Sequence, residues 1–540
     1  MKTHDITILV LAGGELASKR LGPAKPQHNH PLLLPAGSSL AIDTIAAFYK
    51  RADPKFSIVA VVDQLLPLAV HLRNSGHFSI YQIEAQPHIL GSIKASLKTV
   101  KTDWVIINPI TTLPTGFIEF KCEIRAGKTR LIRENWSSLH QDTCGQWLFE
   151  HRDDRVSNQP THPFTGILTA PTKSLIEVVE GLPDYASNDL IYVAEALHRQ
   201  NHAVIVKTPW HDLGHRSTHA ASRRSRLPSR AFNQLTYCKK RDVIIKQSSD
   251  QKRLHAEKSY LEALPIQLRR YFPTVLPGEE WESTALVMEA IPFPSLAELH
   301  LHWDLGPNTW VSILERLYDI QQDFCSAQPT QIGNSDWLFS TKLQSRWQDL
   351  IAEGSNQDCW WQRELRINGQ WFPALHSQLE TLITQLIHLE GNAELGLIHG
   401  DFCFNNILCD PLYTAIRLID PRGERAPYVN LPRGTGDRRY DLAKLFHSIS
   451  GHYDAIVNNL FQVQWHSSQE IEIQVYVPTH QPFLQKEFEK IFLTADFSLR
   501  ELQLLTASLF FSMLPLHQED QDRVIALAHR GMLMLQSATH

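Results

Sequence analysis

The 540-residue sequence predicts an α/β domain followed by an α+β domain. In the first part, short apolar segments alternate with helical patterns, an order typical of a mostly parallel sheet. In the second part, a strand pair and a helix precede a long region of amphipathic helix, as in an α+β domain. A Ser- and Arg-rich run containing Pro228 separates the two parts, so we predict domains over 1–228 and 229–540.

Composition and charge argue against several classes of protein. The formal net charge of −5 gives no overall bias toward nucleic acid or an anionic membrane. The seven cysteines are scattered without zinc or C-x-x-C spacing, and no apolar run approaches the roughly 18–20 residues of a membrane helix. The basic run 216–230 is interpreted either as a phosphate- or nucleic-acid-binding segment or as a solvated helix and linker. We therefore expect a cytoplasmic protein with reduced thiols, a small-molecule partner, no nucleic acid and no membrane insertion.

The first strand is predicted at Ile6–Ala12 and runs directly into Gly13 and Gly14. Backbone N–H groups at such a glycine turn can bind phosphate. Helices and strands alternate after it. We predict a helix after 31–40, a strand at 56–63, a helix opening at Gly91 and a strand at Trp104–Pro109.

Three short motifs in the first domain carry a resemblance. They are L-A-G-G at 11–14, L-L-P at 33–35 and W-H-D-L-G at 210–214. Together they resemble sugar nucleotidyltransferases. The resemblance implies a GT-A/Rossmann-like fold, with Gly13 and Gly14 against a nucleotide such as CTP or UTP and with Asp212 as a metal ligand.

Two positions depart from that pattern. Asn108 stands where the family has its first metal-binding Asp, and His30-Pro31 stands where Pro-Lys is expected, with Lys25-Pro26 out of register. An amide carries no charge and binds Mg²⁺ more weakly than a carboxylate. The domain is therefore either an active nucleotidyltransferase or a retained fold that binds a ligand or partner without transfer.

The second domain opens with strands at 232–237 and 241–246 and a helix at 250–264. Lys246 ends a Val-Ile-Ile-Lys segment, the pattern of the kinase strand whose lysine binds nucleotide phosphates. Glu257 lies in the helix within reach of Lys246, and Glu262 is its rival. The apolar segment 286–292 is predicted to lead into a hinge, where the backbone near Met288 would hold adenine. The alternative is that these residues are ordinary surface or strand positions.

One later loop brings three polar groups between apolar segments. Asp401 and Asn406 are five residues apart, and Asp420 follows fourteen residues later. Phosphoryl transfer needs a carboxylate that orients the attacking hydroxyl. It also needs an Asn and a second Asp to hold Mg²⁺ on the nucleotide phosphates.

This loop resembles that of the aminoglycoside phosphotransferase and choline kinase family, small-molecule kinases with a protein-kinase-like fold. The resemblance implies ATP and Mg²⁺ as cofactors, Asp401 as the catalytic residue, and Asn406 and Asp420 as metal ligands. It also implies an N-lobe over 229–295 and a helical C-lobe over 296–540.

Three features of the C-lobe have a chemical and a structural interpretation. Asp441, near the start of a predicted helix, is a brace for the catalytic loop in the resembled family. A Trp-rich stretch is interpreted as core or as a ligand platform. It comprises Trp337, Trp347, Trp360, Trp361 and Trp371. An arginine cluster is interpreted as an anion site or as surface ion pairs. It comprises Arg422, Arg425, Arg433, Arg438 and Arg439.

These features predict a fused enzyme of the kind found among bacterial capsule and surface-polysaccharide biosynthesis proteins, which it resembles. The kinase would phosphorylate a hydroxyl of a sugar or small polyol, and the first domain would activate the product or bind it. Three alternatives stay open: a kinase with a non-catalytic first domain, a pseudoenzyme scaffold, and a protein kinase. The missing Gly-rich loop and A-P-E motif argue against the last.

Overall fold

The computed structural model describes most of the chain as two compact units. The described residues are 5–13, 25–26, 30–37, 39–52, 56–63, 65, 80–116, 121–129, 136–152, 160–183, 188–215, 218–219, 222, 233–279, 284–354, 360–410, 412–427, 431–493 and 497–539. Described residues up to 222 belong to the first unit, and those from 233 onward belong to the second. The predicted domain boundary near 228 lies outside the described residues.

The first unit is an α/β unit. Its strands are β1 (Ile6–Ala12), β2 (Ser57–Val62), β3 (Ile80–Glu84), β4 (Trp104–Pro109), β5 (Glu123–Gly127), β6 (Ser138–Gln141), β7 (Trp147–Glu150), β8 (His162–Pro171) and β9 (Val204–Thr208). Its helices are α1 (Ala41–Ala52), α2 (Ile89–Leu97), α3 (Thr172–Gly181) and α4 (Leu190–Asn201). The two-residue strands Thr112–Leu113 and His211–Asp212 pair with each other.

The strands form one sheet in the order β9-β5-β8-β4-β1-β2-β3, and the hairpin β6–β7 extends from β8. β1 runs parallel to β2 and β4, whereas β8 runs antiparallel to β4 and β5. The sheet is therefore mixed, but the other six strands of this path run in one direction, so the prediction of a mostly parallel sheet is confirmed apart from β8. A crossover helix returns a strand in the parallel direction. In the described residues, the segment between β5 and β8 is a hairpin without such a helix.

The core explains why β1 is apolar along nearly its whole length. Helices α2, α3 and α4 pack on one face of the sheet, with Leu9, Ile93 and Leu175 in the same buried cluster. Val10 and Ile8 are buried as well. A strand covered on both faces needs apolar residues at successive positions rather than at alternate ones.

The second unit contains more helix than strand. Its first elements are β10 (Asn233–Cys238), β11 (Val243–Ser248), α5 (Gln251–Ala263), α6 (Ile266–Arg269) and β12 (Leu286–Glu289). The elements that follow up to the loop of Asp401 are α7 (Leu296–His302), α8 (Pro307–Ala327), β13 (Gln331–Gly333), α9 (Ser340–Gly354), β14 (Leu365–Ile367), β15 (Gln370–Phe372), α10 (Leu375–Glu390) and β16 (Ala393–Leu397). The remaining elements are β17 (Ile407–Cys409), β18 (Ile416–Leu418), β19 (Thr435–Asp437), α11 (Arg438–Ile449), α12 (Tyr453–Val457), β20 (Phe461–Trp465), β21 (Glu470–Val475), α13 (Gln481–Phe492), α14 (Leu499–Met513) and α15 (Gln521–Thr539).

A small antiparallel sheet, β10-β11-β12, opens this unit. Lys246 in the middle strand lies opposite Leu235 on one side and Leu286 on the other. Helix α5 follows, because the side chain of Asp250 accepts the backbone N–H of Arg253 at 3.0 Å and so caps the helix. The predicted strand pair and helix are therefore present, with ends shifted by one or two residues.

The helical part carries a three-stranded sheet and a two-stranded hairpin that matter for the site. β16 lies between β13 and β19, and β17 pairs with β18 in a hairpin.

The Trp-rich stretch divides: Trp360 and Trp361 are buried against each other, whereas Trp371 is 58 % exposed. No helix among the described residues is long and apolar enough to cross a membrane.

Candidate active site

The loop that carries Asp401 lies between β16 and β17 of the second unit. Gly400 has a φ of 80°, in the left-handed region that glycine adopts without strain. A Cβ at that position would lie 2.8 Å from Cβ of Arg422, so space also requires glycine. Asp441 accepts the backbone N–H groups of His399 at 2.7 Å and of Gly400 at 2.9 Å. The turn that presents Asp401 is thus fixed by two hydrogen bonds to one carboxylate.

Asp401 carries a cation on each carboxylate oxygen. Lys444 Nζ lies 3.0 Å from Oδ1, and Arg422 Nη2 lies 3.3 Å from Oδ2. Burial opposes the charge of Lys444, but Asp401, with smaller contributions from Tyr440 and Cys403, raises the pKa of Lys444 overall. The pKa of Arg422 is raised in the same way, against burial, chiefly by Asp401. Both side chains therefore stay charged and hold the carboxylate of Asp401 between them.

Asn406 and Asp420 meet where the hairpin β17–β18 joins the loop. Asn406 Nδ2 donates to the carbonyl of Asp401 at 2.9 Å, so its Oδ1 points away from that carbonyl. The N–H of Ile419 donates to the carbonyl of Asn406 at 3.0 Å, which brings Asp420 beside the loop. Asp420 has a φ of 57°, a conformation that Asp and Asn tolerate better than most residues. An amide oxygen and a carboxylate are the hard donors that Mg²⁺ prefers, so these two residues fit that ion.

Lys246 joins the small sheet to the loop. Its Nζ lies 2.7 Å from Oε2 of Glu257 and 2.6 Å from Oδ1 of Asp420. The suggested contact with Glu257 is present, and the rival Glu262 is exposed. Burial and the charge of Asp420 raise the pKa of Glu257 to about 7, against the effect of Lys246. The part of this pair in nucleotide binding stays a prediction.

A cavity opens beside this ion-pair group. Its lining is Lys246, Ser248, Arg253, Leu254, Glu257, Asp420 and Pro421. Phosphates need cationic donors, and the Mg²⁺ that accompanies them needs a carboxylate. The lining supplies two cations and Asp420 at one opening, an arrangement that can hold the phosphates of a nucleotide.

His399 precedes this loop and has a structural part in it. Its ring stacks on Phe272 with centroids 5.8 Å apart, and its Nδ1 accepts the backbone N–H of Asp401 at 3.2 Å. Burial lowers the pKa of His399 to about 4. The ring is therefore neutral near pH 7 and positions Asp401 rather than exchanging protons there.

Met288, the predicted adenine-side residue, lies in β12. Its backbone pairs with Ile244, bridges Val275, and its side chain is buried. The next residue, Glu289, is held by Arg417 at 2.7 Å. The end of this strand is thus fixed from two sides, and adenine binding near Met288 stays a prediction.

The arginine cluster after Asp420 divides between the two interpretations. Arg433 and Arg438 donate to backbone carbonyls, and Arg439 lies 2.7 Å from a buried carboxylate oxygen in β19. Arg425 is exposed. Arg422 contacts Asp401, so this member of the cluster belongs to the candidate site.

In the first unit, Gly13 follows the last residue of β1. A Cβ there would lie 2.8 Å from Cβ of Ala85 and 3.1 Å from Oδ1 of Asp63, so a side chain would force its neighbours apart. Gly14 lies outside the described residues. Phosphate binding by the two glycines stays a prediction.

Asn108 is fully buried at the end of β4. Its Oδ1 accepts the hydroxyl of Tyr49 at 2.8 Å. Its Nδ2 donates to the carbonyls of Pro109 at 2.7 Å and Thr112 at 2.9 Å. The amide therefore closes the turn after β4 with its N–H groups and joins that turn to α1 with its oxygen, and an Asp could not close the turn because it has no N–H donors.

Asp212 is also held by its neighbours. Its Oδ1 accepts the backbone N–H of Gly214 at 3.0 Å, and its Oδ2 lies 2.6 Å from Nδ1 of His215 and accepts the hydroxyl of Thr218. Among the residues that the structure describes, no group of three or more His, Cys, Asp or Glu side chains is arranged to hold a metal ion. A metal at Asp212 would have to replace these contacts, and this role stays a prediction.

Three solved structures align with the N-terminal part of the chain. A protein described as a glucose-1-phosphate thymidylyltransferase from Bacillus anthracis, in complex with a sucrose, has 14 % identity and a TM-score of 0.32, covering 42 % of this chain and 98 % of its own. The inositol-1-phosphate CTP transferase from T. maritima has 14 % identity and a TM-score of 0.31, covering 39 % and 90 %. A UDP-glucose pyrophosphorylase complexed with UDP-glucose has 12 % identity and a TM-score of 0.31, covering 41 % and 97 %. No residue of this chain takes a role from similarity at this level. No protein-family model and no curated protein matches the chain.

Sequence reasoning missed Lys444. It lies three residues after Asp441 in α11, so both side chains share one face of that helix. One then braces the loop and the other reaches Asp401. The helical spacing could have predicted this, because a residue three positions after Asp441 lies on the same face of the helix and so near the same loop.

Proposed function

We propose that the second unit transfers the γ-phosphoryl group of ATP to a hydroxyl of a sugar or small polyol. One observation carries the proposal. Lys246, Glu257 and Asp420 meet at one cavity, and the Asn406–Ile419 hydrogen bond ties that group to the loop of Asp401. These residue types, in this order along the chain, serve Mg²⁺-dependent phosphoryl transfer.

The residues divide the work of the reaction. The acceptor oxygen attacks the γ-phosphorus, the bond to the β-phosphate bridging oxygen breaks, ADP leaves, and the hydroxyl proton goes to Asp401. Lys444 and Arg422 orient the carboxylate of Asp401. Lys246 offsets negative charge on the phosphates, and Glu257 holds the Lys246 ammonium in place.

Mg²⁺, when bound, neutralises charge on the β- and γ-phosphates. Asn406 and Asp420 would hold it through their side-chain oxygens. Lys246 contacts Asp420 at 2.6 Å, and nucleotide phosphates would provide a second anionic partner for the same ammonium. Lys246 and Asp420 are therefore already in contact, and the nucleotide phosphates would bind beside this pair.

Phosphorus NMR of the full chain with ATP, Mg²⁺ and a panel of sugars and polyols tests the proposal. We expect ADP and a new phosphomonoester signal with at least one acceptor. The matched control is Asp401→Asn, which keeps the size of the side chain and should form neither product. Nucleotide binding without any phosphomonoester, across neutral and anionic acceptors, would contradict the proposal.

The first unit has a second candidate function, ligand binding without transfer. Asn108 favours it, because the amide at the position of the expected metal carboxylate is used within the fold. The alternative is that this unit activates the phosphorylated product with CTP or UTP for surface-polysaccharide biosynthesis. Adding CTP or UTP and Mg²⁺ to the product distinguishes them, since transfer releases pyrophosphate and binding alone does not.

A further inference from the structure

Three cations lie beside Asp401 or Tyr440. Lys444 and Arg422 contact its carboxylate directly. Lys342, from α9, donates to the hydroxyl of Tyr440 at 2.7 Å, and its Nζ lies 5.2 Å from the centre of that ring. Lys444 lies 6.0 Å from the same ring, so Tyr440 connects the three side chains.

The direction in which the pKa of Tyr440 is shifted indicates the sign of the charges around it. Burial raises the pKa of a phenol, yet Lys342, Lys444 and Arg422 together lower the pKa of the buried Tyr440. Tyr260 is equally buried, and there burial and Asp441 raise the pKa. Because both phenols are buried, the opposite shifts come from the charges around them. The surroundings of Tyr440 are therefore positive.

The carboxylates that face this region do not balance it. Asp401 serves two of the three cations, and Asp420 is in contact with Lys246. Asp441 is turned to the backbone N–H groups of the loop. Glu424 acts on Arg422 but is exposed, where solvent screens its charge. Lys444 and Arg422 thus share the carboxylate of Asp401, while Lys342 contacts the hydroxyl of Tyr440.

We propose that the acceptor carries an anionic group, a carboxylate or a phosphate, which Lys342 and Arg422 bind beside the hydroxyl that Asp401 activates. This inference rests on the proposed phosphotransfer and narrows the acceptor to an acidic or phosphorylated sugar or polyol. Arg presents a planar fork suited to either anion, and Lys adds a point charge. A cationic acceptor would be repelled by the same side chains.

Two of the three cations, Lys342 and Arg422, bind the anion in this scheme. Lys342 and Arg422 are half-buried, so a ligand can reach them, whereas Lys444 is buried against Asp401. Lys342 contacts a phenol rather than a carboxylate, so an arriving anion need not displace an ion pair. Replacing Lys342 therefore changes acceptor affinity without touching the nucleotide group.

Calorimetry on the full chain, saturated with Mg²⁺ and a non-hydrolysable ATP analogue, tests the inference. The ligands are glycerol, glycerate and glycerol 3-phosphate, then glucose, gluconate and glucose 6-phosphate. We expect an anionic member of a set to bind at least about tenfold more tightly than its neutral member, the effect of one charged hydrogen bond. Lys342→Met should remove that advantage. Arg346→Met, which removes an exposed cation from the same helix, is the matched control and should keep it.

The outcomes separate this inference from the proposed phosphotransfer. Neutral members that bind as tightly as anionic ones, or no binding of any anionic member, would overturn the inference. An unchanged anionic preference in Lys342→Met would do the same. Failure of the ATP analogue to bind, seen in the preceding saturation step, would instead count against the phosphotransfer itself. Phosphorylation of neutral polyols alone would leave the phosphotransfer standing and reject the anionic acceptor.

Discussion

The two units each place polar side chains at the end of a buried strand, but they use them differently. In the first unit, the side chain of Asn108 donates to the turn after β4 and accepts from Tyr49 of α1. In the second unit, Asp401 and Asp420 contact cations from other elements and lie at a loop and a cavity. The partners of a polar side chain therefore distinguish a residue that closes a turn from one that is held ready for a ligand.

The same contrast separates Asp212 from Asp420. Asp212 accepts a hydroxyl and a backbone N–H within its own segment and is only 6 % exposed. The side chain of Asp420 is 32 % exposed and contacts a lysine from a distant strand. A carboxylate with solvent access can exchange its partner for a metal ion at lower cost than one enclosed by local donors. This difference supports our proposal that the metal–nucleotide chemistry belongs to the second unit.

The largest expected effect comes from Asp401→Asn. Removing the proton acceptor should lower turnover by about 10²–10⁴-fold, the usual range for a general base. ATP affinity should stay within about twofold, since the proposed role of Asp401 is toward the acceptor and not the nucleotide. ADP release measures the first quantity and calorimetry the second. Asp349→Asn, at an exposed position of α9, serves as the control. Turnover within a factor of about two of wild type would contradict the assignment.

Asp420→Asn should have the next largest effect. Asn tolerates the left-handed backbone at this position, so the substitution removes the charge without straining the turn. We expect the Mg²⁺ midpoint for turnover to rise by about tenfold or more, because the main protein charge on the ion is lost. A titration of turnover against Mg²⁺ measures it. An unchanged midpoint would show that Asp420 does not hold the metal.

Glu257→Gln should weaken nucleotide use more modestly. Lys246 would keep Asp420 but lose the anion that fixes its position, so we expect KM for ATP to rise by about three- to tenfold. Glu262→Gln is the matched control, since Glu262 lies on the same helix and is exposed. Equal effects from both substitutions would mean that the Lys246–Glu257 pair is not used in nucleotide binding.

The same glutamate predicts a pH dependence. Its pKa is raised by burial and Asp420 from 4.5 to about 7, so acidification below pH 7 protonates Glu257 and weakens its bond to Lys246. KM for ATP should therefore rise as the pH falls from 8 to 6.

The folded state binds the Glu257 proton more tightly than the unfolded chain does. The contribution of Glu257 to the free energy of unfolding therefore falls as the pH rises from about 4.5 to about 7. In Glu257→Gln both dependences should flatten, and retention of the full wild-type profile would contradict the assignment.

Asn108→Asp should leave phosphotransfer unchanged and destabilise the first unit. The substitution removes the two N–H groups that donate to backbone carbonyls and places a carboxylate at a buried position. We expect a loss of about 2 kcal/mol or more in the unfolding free energy of that unit, read from its thermal transition. A variant of unchanged stability that gains a Mg²⁺ site would instead show that Asn108 occupies a position where a metal ion can still bind.

Much of this arrangement was readable from residue spacing. The Asp401–Asn406–Asp420 order, the Val-Ile-Ile-Lys strand and the helix with Glu257 are local patterns, and the structure contains each element with small shifts at its ends. The antiparallel direction of β8 was not readable, because a buried apolar strand has the same pattern in either direction. Residue spacing also could not predict the hydrogen bonds of the Asn108 amide or the contacts of Lys444 and Lys342. These depend on tertiary structure.

The assignment of the metal–nucleotide site to Asp420 is tested most directly by Mn²⁺ electron paramagnetic resonance. The full chain is titrated with Mn²⁺ and ADP, alongside Asp420→Asn and Asp212→Asn. We expect wild type to bind the Mn²⁺–ADP complex, Asp212→Asn to bind it with similar affinity, and Asp420→Asn to bind it about tenfold or more weakly. Normal binding by Asp420→Asn together with loss of binding by Asp212→Asn would place the site in the first unit and contradict the account.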